Sequence, residues 1–118
     1  MRNFTQYTNY SKYHAKKTVV DGITFDSKSE SVRYQELKML ERTGEISGLR
    51  LQVPFELLPG EEGPDGIRLR PLKYVADFVY LDRNGNQVVE DKKGFRTPEY
   101  KIKKRLMWHI LHIQILET

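Results

Sequence analysis

The chain has 118 residues, with 20 lysines and arginines, 16 aspartates and glutamates, no cysteine and a net charge of +4. This length predicts a single domain, residues 1–118, with its own hydrophobic core. The composition excludes a disulfide framework and a cysteine-based zinc site, and no apolar run approaches the roughly 20 residues that a membrane-spanning helix needs. Because the sequence shows no signal peptide, we expect a cytoplasmic protein with no membrane partner.

The amino-terminal segment is rich in basic and tyrosine residues and has no acid up to residue 20. Residues 1–16 lack an apolar period and are predicted to form a loose basic arm. Residues 17–25 hold two short apolar runs around Asp21-Gly22, a pattern that predicts a β-hairpin. A second basic cluster lies at residues 96–105. Two such clusters indicate a polyanion partner, most often nucleic acid, although a solvated surface has the same composition.

The next segment, from Ser27 to Gly44, predicts a helix. Ser27 is the expected N-cap, Glu30 follows three residues later as in a capping box, and Gly44 is the expected stop. Tyr34 and Leu37 lie on its apolar stripe, and Glu30 continues the line of that stripe.

Three strands are predicted after this helix. Residues 49–58 alternate between polar and apolar side chains, and residues 72–81 are nearly apolar on both faces. Residues 87–93 start with a glutamine and two valines and continue with charged residues. The glycine-rich and acidic residues 59–66 predict a loop, and residues 82–86 predict a turn.

A second helix is predicted to begin at Thr97 and Pro98 and to run to about residue 109, with Ile102 and Leu106 facing inward. Residues 110–116 then predict a last strand. The resulting order, α-β-β-β-α-β after an N-terminal β-hairpin, indicates an α/β (α+β) fold with a mixed sheet flanked by helices and a core from residue 27 to residue 118.

Asp77 interrupts the apolar strand 72–81, and burying a carboxylate without a partner is costly. The simplest interpretation is an aspartate that accepts hydrogen bonds from backbone N–H groups at a strand end. If Asn84-Gly85 forms a two-residue turn, Asp77 lies opposite Lys92, with Glu90 on the same face.

The other turn moves the pairing by one residue. If residues 83–85 form a three-residue loop with Gly85 in the left-handed conformation, Asp77 lies opposite Asp91, and Lys93 points to the same face. The residues themselves leave both pairings open.

Two carboxylates on one face repel each other, and a divalent cation relieves that repulsion. Carboxylates with open water positions suit Mg²⁺ or Mn²⁺, which also bind phosphate oxygens. A lysine beside the ion adds positive charge where a phosphodiester becomes more negative in the transition state, and it can orient or deprotonate the attacking water. This combination favours hydrolysis of a phosphodiester.

The segments "ADF" at 76–78 and "EDKKG" at 90–94 resemble the motif of the PD-(D/E)XK nuclease superfamily. The resemblance covers most of the chain. The chain is similar to a phage branch of this superfamily, which is related to Holliday junction resolvases and branch-specific endonucleases. The segments that carry this similarity are "KKTVVDGITFDSKSESVRYQEL", "LQVPFEL" and "KGFRTPEYKIKKRL". That branch has Asp-x-Lys-Gly at the strand end, which selects Asp91 and Lys93. Ala76 departs from the pattern, which has proline before the first aspartate.

This resemblance implies a restriction-endonuclease-like core and a metal-dependent DNA endonuclease acting on branched DNA, in a bacterial host if a phage encodes it. Asp77, Asp91 and Lys93 would be catalytic, with Mg²⁺ or Mn²⁺ held by the two aspartates and no small-molecule cofactor. Many members add a catalytic, metal-binding glutamate from the first core helix; Glu30 is the candidate, with helix capping as the alternative. Gln52 is a weaker candidate to support these ligands, and an ordinary solvent-facing glutamine is the favoured interpretation.

Cutting two strands at a junction requires two active sites, so a homodimer is implied. We expect basic and aromatic side chains to contact backbone phosphates without reading sequence: Lys12, Lys16, Lys17, Arg96, Tyr100, Lys101, Lys104 and Arg105. The alternatives are another nuclease of the same chemistry (an exonuclease, a nickase or a restriction-like enzyme), a non-catalytic nucleic-acid-binding module, and an RNA substrate.

Overall fold

The computed structural model describes residues 16–118, so the predicted contact residue Lys12 and nearly all of the predicted arm lie outside the described residues. Contacts divide the chain after Met39 into two compact units, which are described in turn. Within residues 16–118, none of the helices has the length and apolar character needed to cross a membrane.

The first unit contains the predicted hairpin and the start of the first helix. Strands β1 (Thr18–Val20) and β2 (Ile23–Phe25) pair antiparallel. The turn between them has φ of 54° at Asp21 and 75° at Gly22, as a two-residue hairpin turn with two left-handed residues requires. The hairpin prediction is therefore confirmed.

Helix α1 (Lys28–Arg42) begins where the sequence predicts. The Ser27 hydroxyl accepts a hydrogen bond from the Glu30 backbone N–H at 3.1 Å, which satisfies one of the amide groups left over at the helix start. Tyr34 packs its ring against Phe25, with the ring centroids 5.1 Å apart, and donates a hydrogen bond to Asp21 at 2.9 Å. These contacts fasten the helix to the hairpin.

The second unit is built on a four-stranded mixed sheet. In the order in which they lie side by side, its strands are β3 (Ser47–Leu58), β6 (Leu72–Leu81), β7 (Gln87–Asp91) and β8 (Ile115–Glu117). The first three are antiparallel, and β8 joins β7 in parallel after helix α2 (Pro98–Leu111). The predicted α+β order with a mixed sheet is therefore confirmed. The predicted loop at residues 59–66 contains a short strand, β4 (Glu61–Glu62), which pairs antiparallel with β5 (Arg68–Leu69) just beyond the loop.

Helix α2 begins as predicted, with the Thr97 hydroxyl accepting from the Tyr100 N–H at 3.0 Å. It ends at Leu111, two residues beyond the predicted end, so the last strand is shorter than residues 110–116. Ile102 is 61% exposed and does not face inward, which corrects that expectation. Instead, Tyr100 and Met107 are buried in a core that also includes Leu57, Tyr74, Ala76, Val79, Val89 and Ile115, with Leu106 packed against it.

The turn between β6 and β7 sets the register of the two strands. Gly85 has φ of 81°, and its N–H donates to the Asp82 carbonyl at 3.0 Å, while the Asp82 N–H donates to the Asn86 carbonyl at 2.9 Å. Residues 83–85 thus form the three-residue loop with a left-handed glycine. This turn decides which charged residues of β7 lie beside Asp77.

Replacing Gly85 by alanine should lower the free energy of unfolding by about 1–2 kcal/mol, because an L side chain is strained at this φ. An added Cβ meets no atom within 4 Å at Gly85 or at Gly94, and Gly94 has no positive φ. Gly94→Ala is therefore the matched control and should change stability less. Urea denaturation of both variants measures the difference, and equal midpoints would contradict the role of the Gly85 backbone.

Candidate active site

Asp77 and Asp91 lie side by side on neighbouring strands. Phe78 pairs with Glu90 and Val79 with Val89, so Asp77 and Asp91 are the next residues beyond the last of these pairs. The Asp77 backbone N–H donates to Asp91 Oδ1 at 2.9 Å. The structure therefore has the pairing of the three-residue loop, and the alternative pairing from a two-residue turn is wrong.

The Asp77 carboxylate is held from both neighbouring strands. Its Oδ2 accepts from the Lys92 backbone N–H at 3.0 Å, and its Oδ1 accepts from Gln52 Nε2 at 3.4 Å. Lys92 thus meets Asp77 through its backbone rather than its side chain. Gln52 therefore contacts Asp77, as expected of a residue that supports the site. Asp77 also accepts the backbone hydrogen bond of the simplest interpretation.

The backbone is irregular where these two residues face each other. Gln52 has φ of 53° inside a strand, a conformation that is uncommon for a residue other than glycine. On the paired strand, strict alternation would put Ala76 and Val79 on opposite faces, yet both belong to the same core. The alternation is thus interrupted around Asp77. Strained backbone of this kind occurs at functional sites.

Asp91 is buried, with 1% of its surface exposed. The Tyr74 hydroxyl donates a hydrogen bond to Asp91 Oδ2, and Lys93 Nζ lies 3.2 Å from the same oxygen. Burial first, and then the hydrogen bond to Asp91, raises the pKa of Tyr74, so this hydroxyl remains a donor. The sequence pattern did not identify Tyr74, because strict alternation places it on the face opposite Asp77.

Lys93 is fixed at both its backbone and its side chain. Its N–H donates to the Thr118 carbonyl at 3.0 Å, and the Thr118 N–H donates to the Asp91 carbonyl at 2.9 Å, which extends the parallel β7–β8 pairing. Its ammonium lies 4.1 Å from the centre of the Tyr100 ring, a cation–π contact. Asp91 and Tyr100 together hold the charge of Lys93 at one end of the sheet.

Three of the predicted DNA-contacting residues converge on Glu117, which the sequence pattern did not identify. Arg96 binds Glu117 Oε1 through Nε at 2.9 Å and Nη2 at 2.6 Å. The Tyr100 hydroxyl and Lys104 Nζ reach Glu117 Oε2 at 2.6 and 2.9 Å. These hydrogen bonds, with Arg96 first, lower the pKa of Glu117 to about 2. The pKa of Tyr100 is raised, first by burial and then by its bond to Glu117.

The remaining predicted DNA-contacting residues are on the surface. Lys101 and Arg105 are exposed on helix α2, and Trp108, further along the same helical face, is 55% exposed. Lys16 and Lys17 are exposed before β1 in the first unit. All four cations are therefore accessible to solvent.

Glu30, the predicted third ligand, lies in the first turn of α1, in the first unit. Its backbone makes the capping bond with Ser27. Among residues 16–118, no three histidine, aspartate or glutamate side chains group closely enough to hold a metal ion. The carboxylates that the second unit offers at this site are Asp77 and Asp91, and the metal-binding role of Glu30 stays a prediction.

Glu90 is the acid that the two-residue turn would have placed on the same face as Asp77. In the structure it is fully buried. It accepts from the Tyr80 hydroxyl at 2.6 Å and from the Thr118 hydroxyl at 3.0 Å. The two neighbouring acids of β7 thus point to opposite faces of the sheet, as the alternation of a strand requires.

Comparison with known families assigns the chain to a wider group. The family described as "Protein of unknown function (DUF1064)" matches residues 10–115, most of the chain. The chain belongs to the DUF1064 family. The DUF1064 match includes Asp77, Asp91, Lys93 and Tyr100, whereas Glu117 lies beyond its end. No curated protein and no solved structure matches the chain.

Proposed function

We propose that this chain is a metal-dependent endonuclease that hydrolyses phosphodiester bonds in DNA and acts on branched DNA such as a Holliday junction. The observation that carries the proposal is the set Asp77, Asp91 and Lys93. The Asp77 N–H lies 2.9 Å from Asp91 Oδ1, and Lys93 Nζ lies 3.2 Å from Asp91 Oδ2. Two carboxylates and a lysine at one strand end have the ligand types and the charge that this hydrolysis requires.

The two aspartates fit a hard divalent cation such as Mg²⁺ or Mn²⁺, which prefers carboxylate oxygens and retains several waters. Asp91 is buried and rigidly oriented, while the partly exposed Asp77 gives access from solvent. When bound, such an ion supplies a Lewis acid and an activated water.

Lys93 has a defined role beside the carboxylates. Its side chain is 21% exposed, so the ammonium can reach a substrate while it remains paired with Asp91. Its positive charge would stabilise the extra negative charge of the phosphate in the transition state, and it can hold the attacking water. The Tyr100 ring restricts the ammonium to this position.

Branched DNA as the substrate, and a homodimer as the active form, rest on the resemblance in the sequence and on the need for two cuts. The exposed Lys101 and Arg105 on α2, and Lys16 and Lys17 before β1, are the proposed phosphate contacts outside the site. Contacts of this kind position the backbone and carry no sequence information.

A second candidate, a non-catalytic nucleic-acid-binding module, is favoured by the surroundings of Asp91. With 1% exposure, this carboxylate accepts from the Asp77 N–H and the Tyr74 hydroxyl and is paired with Lys93. Such an arrangement is also typical of a structural ion cluster. In that case the cluster would stabilise the sheet end and cleave nothing.

Cleavage of end-labelled substrates tests the proposal. We expect the protein to cut a four-way DNA junction in Mg²⁺ or Mn²⁺ and to cut nothing in EDTA, with linear duplex, nicked duplex, single strands and an RNA junction cut more slowly. Products from strand ends would instead indicate an exonuclease, and single cuts in linear duplex a nickase. Absence of cleavage on every substrate, with DNA still bound, would support the non-catalytic module.

A further inference from the structure

Glu117 is the centre of a site that the proposed chemistry does not use. A single carboxylate receives both Arg96 nitrogens at 2.9 and 2.6 Å, the Tyr100 hydroxyl at 2.6 Å and the Lys104 ammonium at 2.9 Å. These donors come from the segment before α2 and from two turns of α2 itself. Their convergence is therefore a product of the fold rather than of neighbouring sequence.

The same donors suit a phosphate group. Arginine recognises carboxylate and phosphate oxygens with the same planar set of N–H donors, and lysine and tyrosine donate to either anion. Two cations surround one acid, so the cluster keeps a net positive charge. Arg96 and Lys104 are 47% and 44% exposed, whereas Glu117 is 16% exposed. An anion from solvent can thus reach the cations.

The cluster also adjoins the candidate active site. Glu117 on β8 is the parallel partner of Asp91 on β7. Adjacent strands lie about 4.8 Å apart, so the two carboxylates occupy neighbouring strand positions. Tyr100 connects them, because its hydroxyl binds Glu117 and its ring lies against Lys93. A group bound at Arg96 and Lys104 would therefore lie next to the reacting phosphodiester.

We propose that Arg96, Tyr100 and Lys104 form a subsite for a backbone phosphate of the DNA, and that Glu117 occupies this subsite until DNA displaces it. The assignment rests on the proposed function, because DNA is taken as the ligand. Glu117 is then an internal competitor, and removing its charge makes the subsite available.

The test compares Glu117→Gln with a matched control, Glu99→Gln. Glu99 lies on the same helix, is 75% exposed and pairs with Lys103 at 3.0 Å, so both variants remove one acid that pairs with a lysine of α2. Binding of a fluorescent four-way junction is measured in EDTA at several salt concentrations, so no cleavage intervenes. We expect Glu117→Gln to bind about 10-fold more tightly, with a salt slope steeper by about 0.9, the value for one added phosphate contact. Glu99→Gln should differ less than about 2-fold from wild type, since exposed ion pairs contribute little.

Arg96→Ala provides a second variant should Glu117→Gln not fold, as judged by thermal melting. It should weaken junction binding about 5-fold or more and lower the salt slope by about 0.9, because a phosphate contact is lost. Equal affinity and equal slope for Glu117→Gln and Glu99→Gln, or an Arg96→Ala variant that binds like wild type, would overturn the subsite while leaving the proposed cleavage intact. A wild-type protein that binds no DNA would overturn both.

Discussion

Asparagine in place of Asp77 is expected to reduce metal-dependent cleavage of a DNA junction by about 1,000-fold or more, since a metal ligand and its negative charge are lost. The asparagine oxygen can still accept the hydrogen bond that the Lys92 N–H gives to Asp77 at 3.0 Å. Because the side chain is partly exposed, the free energy of unfolding should change by less than about 1 kcal/mol. Single-turnover cleavage and urea denaturation measure the two effects.

Asp82→Asn is the matched control for this substitution. Asp82 lies in the turn of the same hairpin, where its carboxylate accepts from the Asn84 and Asn86 N–H groups at 2.9 Å each. The Asp82→Asn substitution makes the same chemical change outside the site. It should leave the cleavage rate within about 2-fold of wild type, as surface substitutions do. DNA affinity of Asp77→Asn should be equal to or higher than that of wild type. Undiminished cleavage by Asp77→Asn would exclude this pair as the active site.

Methionine in place of Lys93 is expected to lower both cleavage and stability. The rate should fall by about 100-fold or more, because the charge that stabilises the transition state is removed. The Asp91 side chain is 2% exposed and would lose its paired cation, which should cost about 1–3 kcal/mol of unfolding free energy. The length and apolar stem of methionine keep most of the packing against Tyr100.

The double variant Asp91→Asn, Lys93→Met separates the two effects of Lys93. Because no unpaired charge is left at position 91, this double variant should be more stable than Lys93→Met but should cleave no faster. Lys103→Met is the control, because the Lys103 side chain is 23% exposed and its partner Glu99 is 75% exposed. That variant should lose less than about 1 kcal/mol. A Lys93→Met variant that cleaves at the wild-type rate would assign Lys93 to the structural cluster.

Local sequence signals predicted the elements well. Signals of this kind depend only on residues that are neighbours in sequence. They include the left-handed turn at Asp21-Gly22, the Ser27 and Thr97 caps and the glycine of the β6–β7 turn. The end of α2 was mispredicted because the apolar run 110–116 suits a helix and a strand equally. The helix continues to Leu111, and His112, with φ of 55°, ends it.

The choice between the two β7 pairings shows the limit of local reasoning. Turn chemistry allowed a two-residue or a three-residue loop at Gly85, and only the resemblance of the sequence favoured Asp91 and Lys93. In the structure the φ of 81° at Gly85 and the bond from the Asp77 N–H to Asp91 decide the pairing. One residue in a turn thus determines which acid lies beside Asp77.

The partners of the site depend on contacts between distant parts of the chain. Tyr74 reaches Asp91 because the strand alternation is interrupted near Asp77, a feature that side-chain periodicity does not reveal. Glu117 reaches Arg96 and Lys104 because β8 adds in parallel to β7 with a defined register. A parallel register after a helical crossover has no local turn to set it, so the sequence did not indicate these contacts.

The most direct test of the central claim is an anomalous-scattering map of the wild-type protein crystallised with junction DNA and Mn²⁺. We predict a Mn²⁺ peak in contact with carboxylate oxygens of both Asp77 and Asp91, at distances near the roughly 2.0–2.1 Å typical of Mg²⁺, with Lys93 beside a DNA phosphate. A structure with DNA bound but no ion between these two aspartates would contradict the account.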